Sequence, residues 1–346
     1  MESLYGMAPA ELAGALSLSP AFRAKQVYKW LARGVTSFGA MTDLPLLERE
    51  RLSALYPRIP SSEPQAQLED EDGSRKLQIR LADGAAVECV LLEDIEGRRT
   101  ACLSCQVGCP MGCAFCKTGS LGYLRDLSAG EIMEQFHFLS HGVSSPGVSS
   151  PGADTPVSNV VFMGMGEPMA NLGEVRKAIG ILTEAVGMSL RKITISTSGL
   201  VPGILELAQA GPAVRLAVSL TVADDEIRSR LMPVNTTYNL AALKEALVAY
   251  QAATRERITL ECALMGGVNA SPEAARKLLS WIGELKVQVN VIPWNKVPGL
   301  PFSSPTRDEL AAYMGVLESA GVVSIRRMSR GRGVMGACGQ LGDTLR

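Results

Sequence analysis

Residues 109–116 read Cys-Pro-Met-Gly-Cys-Ala-Phe-Cys, a C-x3-C-x2-C run with an aromatic residue, Phe115, before its last thiol. Three thiolates on one short loop can hold three corners of a [4Fe–4S] cube and leave the fourth iron open to a ligand. A four-cysteine cluster mostly carries electrons. Zinc sites favour paired C-x2-C arms that close a tetrahedron. Within this loop the one such arm is Cys113–Cys116, so a zinc reading needs a further ligand from Cys102, Cys105 or a histidine. The spacing favours the cluster, with Cys109, Cys113 and Cys116 as its ligands.

The loop sits in a chain built to fold around it. Its 346 residues suffice for one large domain and a smaller one, and 47% apolar content supplies a substantial core. The net charge of −1 means that a nucleic-acid partner would be met by local patches. No stretch is long and apolar enough to span a membrane, and the start, MESLYGMAPAELAG, lacks a basic–apolar–cleavage pattern. A cytoplasmic protein is expected. Five of the eight cysteines fall between Cys102 and Cys116, too tightly spaced for a disulfide framework, which suits a reducing compartment.

Upstream of the loop, residues 1–58 read as a small helical domain. In 22–33, Val27, Trp30 and Leu31 share one helical face, and Lys25, Lys29 and Arg33 share another. That basic stripe is either a solvated face or a phosphate-facing one. The polar, Pro-containing 59–73 reads as a linker, followed by a hairpin, Lys76–Leu81 and Ala86–Leu92, turning at Ala82-Asp83-Gly84. Glu88, in the middle of the apolar return strand, is expected on its solvent face.

From residue 99, strand-like runs (99–105, 158–164, 192–197, 214–220, 257–264, 287–293) alternate with helical ones (128–141, 171–187, 201–210, 239–253, 272–285, 307–319). Repeated βα units imply a parallel sheet with helices outside. Six units give an incomplete (β/α)6 barrel, with its site at the C-terminal strand ends. The cysteine loop follows the first strand. Residues 143–156, with their repeated SSPG, read as a low-complexity surface insertion.

The other strand exits are rich in ligand-type residues. Asn159-Val-Val-Phe-Met-Gly-Met-Gly-Glu-Pro168 ends in glycines that admit a ligand to the backbone and a carboxylate suited to an ammonium group. Hydroxyl-bearing residues end the third and fourth strands (194–199 and 217–221), and Asn295 ends the sixth. Such residues either cap the next helix or line a polar pocket. Near the end of the chain, Arg326, Arg327, Arg330 and Arg332 precede Ala337-Cys338-Gly339-Gln340-Leu341. Arginines beside a glycine-flanked thiol suggest a catalytic cysteine next to nucleic acid.

CQVGCPMGCAFCKTG, VVFMGMGEP, ITISTSGLVP, LAVSL, VIPWNKVPG and ACGQL together resemble the RlmN/Cfr-type radical S-adenosylmethionine (SAM) RNA methyltransferases, in order and spacing, over residues 20–342. The resemblance implies four segments: an RNA-binding accessory domain (1–58), a linker and hairpin (59–98), a radical SAM core (99–335) and a tail carrying a catalytic cysteine (336–346). It implies a [4Fe–4S] cluster and SAM, two per turnover, with Gly166, Glu167, Ser198, Ser219, Leu220, Thr221 and Asn295 as SAM contacts. Cys338 would carry the methyl group as S-methylcysteine. Cys102 would resolve a transient RNA–protein adduct by forming a disulfide with Cys338, and Glu88 or Cys102 would take the ring proton. The implied substrates are an adenine of 23S ribosomal RNA and certain transfer RNAs, with flavodoxin or ferredoxin as electron donor.

Two departures from the family pattern are Cys105, where serine is usual, and Thr221, where histidine is common. Methylation at adenine C2, as in RlmN, is the first reading, and at C8, as in Cfr, the second. A reading of another class is a non-catalytic iron–sulfur RNA sensor, which would have no need of both Cys102 and Cys338.

Overall fold

The computed structural model describes residues 2–142 and 156–342. The SSPG-repeat segment, except its last residue, and the final four residues lie outside them.

The chain opens with α1 (Pro9–Ala15), α2 (Phe22–Ala32) and α3 (Leu46–Leu55). On α2 the apolar face is Ala24, Val27 and Leu31, all buried, while Lys25, Lys29 and Arg33 are exposed. Arg33 covers the Trp30 ring, its guanidinium carbon 5.3 Å from the ring centroid.

Three antiparallel strands follow, β1 (Glu63–Glu69), β2 (Arg75–Arg80) and β3 (Ala86–Glu93), then β4 (Arg99–Cys102). The cysteine loop emerges after β5 (Gln106–Gly108) and closes through α4 (Lys117–Ser120) and β6 (Tyr123–Asp126). The repeating part comprises α5 (Ala129–His141), β7 (Asn159–Phe162), α6 (Leu172–Glu184), β8 (Ile193–Thr197), α7 (Val201–Ala210) and β9 (Arg215–Ser219). It continues through α8 (Asp225–Leu231), α9 (Val234–Thr237), α10 (Leu240–Thr254), β10 (Ile258–Leu264), α11 (Pro272–Ile282), β11 (Val287–Pro293), α12 (Arg307–Ser319) and β12 (Ser324–Arg326).

One ten-stranded sheet runs β1-β2-β3-β4-β7-β8-β9-β10-β11-β12, parallel from β4 onward. The βα repeat is thus an open partial barrel, as expected of the radical SAM fold, and three features add to the expectation. A short seventh parallel strand, β12, carries Arg326 into the sheet. The hairpin is continuous with the barrel sheet, because β3 pairs with β4.

The third feature is a correction: the 59–73 linker is largely β1, paired with β2 through a bulge at Pro64/Ala66. It is an exposed edge strand, so it carries the charges and proline that keep sheet edges from pairing further, and those mimic a linker in sequence.

Strand alternation positions the site. On β10, Ile258, Leu260, Cys262 and Leu264 are buried in the core, leaving Glu261 and Ala263 on the opposite face, toward the barrel interior.

Candidate active site

A cavity of about 190 Å³ opens at the C-terminal strand ends. Its wall takes Cys109, Cys113 and Cys116 from the loop, Gly166 and Glu167 after β7, and Ser198 after β8. Ser219 ends β9 and Thr221 follows it, Glu261 comes from β10, Asn295 follows β11, and Cys338 comes from the tail.

The cysteine loop is held on several sides. Cys109 N donates to Gly122 O at 2.8 Å, Ala114 N to Leu231 O at 2.9 Å, and Trp294 Nε1 to Phe115 O at 3.0 Å. Gly119 must lack a side chain, since a Cβ there would lie 2.9 Å from Cys113 N and O. Burial pushes the Cys109 thiol up to about 12 and raises Cys113 and Cys116 as well. The Cys116 charge opposes ionisation at both Cys109 and Cys113. Three clustered thiols that resist ionising alone suit a cationic group able to bind all three as thiolates, and an iron–sulfur cluster is such a group. Among the described residues no three His, Cys, Asp or Glu side chains converge on a single-ion site.

Cys102 and Cys105 form a second C-x2-C pair in sequence, but the fold separates their surroundings. Cys105 is buried with its N–H on Met165 O and does not line the cavity. Cys102 ends β4, where burial first, then the charge of Cys338, raises its thiol. Cys89 and Cys262 are core residues.

The strand exits are locked by hydrogen bonds. Gly166 has φ +104°, and a Cβ there would meet Gln106 Cβ at 2.6 Å. Glu167 is buried, which raises its pKa. Its Oε2 accepts Ser198 N–H and Oγ–H at 2.7 and 2.8 Å, its Oε1 accepts Met169 N–H at 3.0 Å, and these bonds oppose the shift. Thr221 has φ +64° and donates its N–H to Glu261 O. Ser219 lines the cavity, but Leu220 does not; its side chain is fully buried in the core, so a side-chain contact to a bound ligand is not supported. Asn295 Nδ2 donates to Cys338 O at 3.1 Å, and its Oδ1 accepts Arg332 Nε–H at 3.0 Å.

The tail is docked on both sides of Cys338. Lys117 N donates to Gly339 O at 2.8 Å, Thr118 Oγ1 to Leu341 O at 2.8 Å, and Gln340 Nε2 to Lys296 O at 2.8 Å. The turn between β1 and β2 holds the approach: Asp72 Oδ2 accepts Gly331 N–H and Asp70 Oδ2 accepts Gly333 N–H. Cys338 itself stays open to solvent through the cavity although protein surrounds it; burial and then Glu261 raise its thiol.

Glu88 corrects its expected exposure. It is 0% exposed, its Oε1 3.3 Å from Lys76 Nζ, and its Oε2 accepts Gly342 N–H at 2.7 Å. It does not line the cavity. All eight cysteines are free thiols, so the Cys102–Cys338 disulfide is not formed here.

Three residues escaped the sequence reading. Glu261, whose Oε1 accepts Asn290 Nδ2–H at 2.9 Å, is a lone charge in an apolar strand, which was a usable signal. Lys76 reads as the polar start of a hairpin strand. Arg228 lies among the charges of 224–230, and nothing in sequence separates it from exposed neighbours such as Arg230.

A partial α/β barrel presenting three closely spaced thiols at its strand ends defines a radical SAM enzyme. Residues 103–279 match the Radical SAM superfamily model, and residues 18–56 match the ribosomal RNA large subunit methyltransferase N-terminal domain. The chain is 46% identical over 344 residues to the probable dual-specificity RNA methyltransferase RlmN of Treponema pallidum, covering 99% of this chain and 98% of that one. It is 40% identical to the dual-specificity RNA methyltransferase RlmN of Lawsonia intracellularis, covering 93% and 90%. The crystal structure of a radical SAM methyltransferase from Sphaerobacter thermophilus superposes with a TM-score of 0.91 at 36% identity, covering 99% of both chains. The chain belongs to the RlmN family of dual-specificity radical SAM RNA methyltransferases.

Proposed function

We propose that the chain forms 2-methyladenosine in 23S ribosomal RNA and in some transfer RNAs, with Cys338 as the methyl carrier. The observation that carries this reading is the placement of Cys338 on the same cavity wall as the three-thiol loop, with Cys102 within electrostatic reach. A non-catalytic sensor has no use for that pair.

Cys109, Cys113 and Cys116 would hold the cluster, and Gly166, Glu167, Ser198, Ser219, Thr221 and Asn295 would surround SAM. When bound, the cluster supplies one-electron reductive cleavage of SAM and so a hydrogen-abstracting carbon radical. Adenine C2 is not nucleophilic, so polar methyl transfer has no low path, and a carbon radical must be delivered by the protein. Cys338 accepts a methyl group on sulfur and loses its thiol proton. After hydrogen abstraction from that methyl group, its carbon adds to C2 and links RNA to Cys338. Cys102, which feels the charge of Cys338, would take the ring proton as the adduct gives up its odd electron to the oxidised cluster; its sulfur would then attack that of Cys338, the carbon–sulfur pair and the Cys102 proton completing the product methyl group and a disulfide being left for reduction. Glu88, engaged with Lys76 and the Gly342 N–H, serves in this reading to hold the tail rather than as the base. Two SAM are used per turnover, and flavodoxin or ferredoxin supplies electrons in the cytoplasm.

Digestion of the methylated RNA to nucleosides, run beside 2-methyl- and 8-methyladenosine standards, tests the product. Only 2-methyladenosine is expected. Only the 8-methyl product would move the chain to the Cfr-type chemistry.

A further inference from the structure

Arg228 is the largest fully buried side chain among the described residues, at 0% exposure. All its hydrogen bonds go to neutral oxygens: Nε to Leu220 O at 3.1 Å, Nη1 to Asn235 Oδ1 at 2.8 Å and Nη2 to Ser198 O at 2.7 Å. Among the described residues no carboxylate lies within ion-pair distance of it. The nearest in the network, Asp225, is one step away through Asn235 Nδ2 at 2.9 Å. A buried guanidinium with no direct ion pair is costly, and burial lowers its pKa to about 10 although Cys113 and the more distant Asp225 favour the charge. An apolar side chain would fill the space without that cost, so the charge needs a reason.

The reason lies at the two ends of its surroundings. The helix that carries Arg228, α8, docks on the cysteine loop: Leu231 O accepts the N–H of Ala114, the residue after Cys113. Arg228 and Cys113 feel each other's charge, the guanidinium favouring the thiolate. On the other side, Ser198, whose carbonyl Arg228 holds, gives both its N–H and its hydroxyl to Glu167.

We propose that Arg228 is a positioning residue whose fixed positive charge, buried behind the cysteine loop, raises the reduction potential of the cluster held there. This rests on the cluster reading of Cys109, Cys113 and Cys116. A cube bound by three thiolates is anionic and gains another negative charge on reduction. In a low-dielectric interior a nearby fixed cation favours the reduced form.

The test uses reconstituted full-length holoprotein without RNA, with cluster reduction followed by electron paramagnetic resonance during a redox titration. Arg228→Gln removes the charge. At the wild-type midpoint its ratio of reduced to oxidised cluster is expected to fall at least tenfold, about 59 mV for one electron. Arg228→Lys keeps the charge and loses the fork, and is expected to stay within threefold of wild type. Asn235→Asp leaves Arg228 in place but sets a carboxylate against its Nη1, and is expected to fall with Arg228→Gln. A wild-type ratio in loaded Arg228→Gln overturns the proposal, as does Arg228→Lys falling as far as Arg228→Gln. Should Arg228→Gln fail to fold, a wild-type ratio in Asn235→Asp overturns it. Wild-type protein that takes up no iron and sulfide contradicts the cluster reading itself, whereas loaded variants with unmoved potentials contradict only the role of Arg228.

Discussion

Eight thiols share one chain, and their surroundings sort them. Cys89, Cys105 and Cys262 are buried away from the cavity; Cys109, Cys113, Cys116 and Cys338 line it; Cys102 adjoins Cys338. Alanine at Cys109, Cys113 or Cys116 is therefore expected to abolish cluster assembly and SAM cleavage, while Cys105→Ser retains both. Iron and sulfide content after anaerobic reconstitution, with 5′-deoxyadenosine release, measures this. Loss of the cluster in Cys105→Ser would reassign the ligands. At this scale the sequence was most informative where chemistry imposes spacing, as in the three-thiol loop. It was least informative where burial turns an ordinary side chain into a special one. Arg228 and Arg230 are two residues apart on one helix, one fully buried and one exposed, and no local pattern tells them apart.

Among the elements, the hairpin and the tail form one unit that the sequence presents as two. Lys76 on β2 and Glu88 on β3 pair inside the sheet and reach opposite sides of Cys338. Lys76 Nζ lies 3.5 Å from Met335 O, and Glu88 accepts from Gly342 N–H. Removing Lys76 takes a cationic partner from the buried Glu88 carboxylate. Lys76→Met is expected to destabilise the protein by about 3–5 kcal/mol in denaturant unfolding, and Lys76→Met/Glu88→Leu by less than Lys76→Met alone. A double variant as unstable as Lys76→Met would show that the pair does not act as a unit. The βα alternation was legible because buried parallel strands and amphipathic helices carry different periods. β1 was not, because an edge strand guarded by charge and proline has a linker's composition. The docking of the tail depends on contacts across more than 200 residues, from Asp70 and Asp72 to Gly333 and Gly331, which no local pattern records.

For the whole molecule, a net charge of −1 leaves RNA binding to local features. Lys25, Lys29 and Arg33 are exposed on α2, and Arg326, Arg327 and Arg332 are exposed near the cavity tail, with Arg332 also committed to Asn295. Arg326→Ala is expected to weaken RNA binding and reduce the salt slope by about one, leaving the methylated nucleotide unchanged. Binding isotherms across a salt series, with the modification site mapped, check both parts. A shift in the methylated position would give Arg326 a part in base selection instead. The central claim is that the methyl group passes to RNA through Cys338 and that Cys102 releases it, and the most direct measurement is a denaturing gel of reaction mixtures. Cys102→Ala should accumulate an RNA-linked protein band that Cys102→Ala/Cys338→Ala lacks; bands of equal intensity in the two variants would contradict the account.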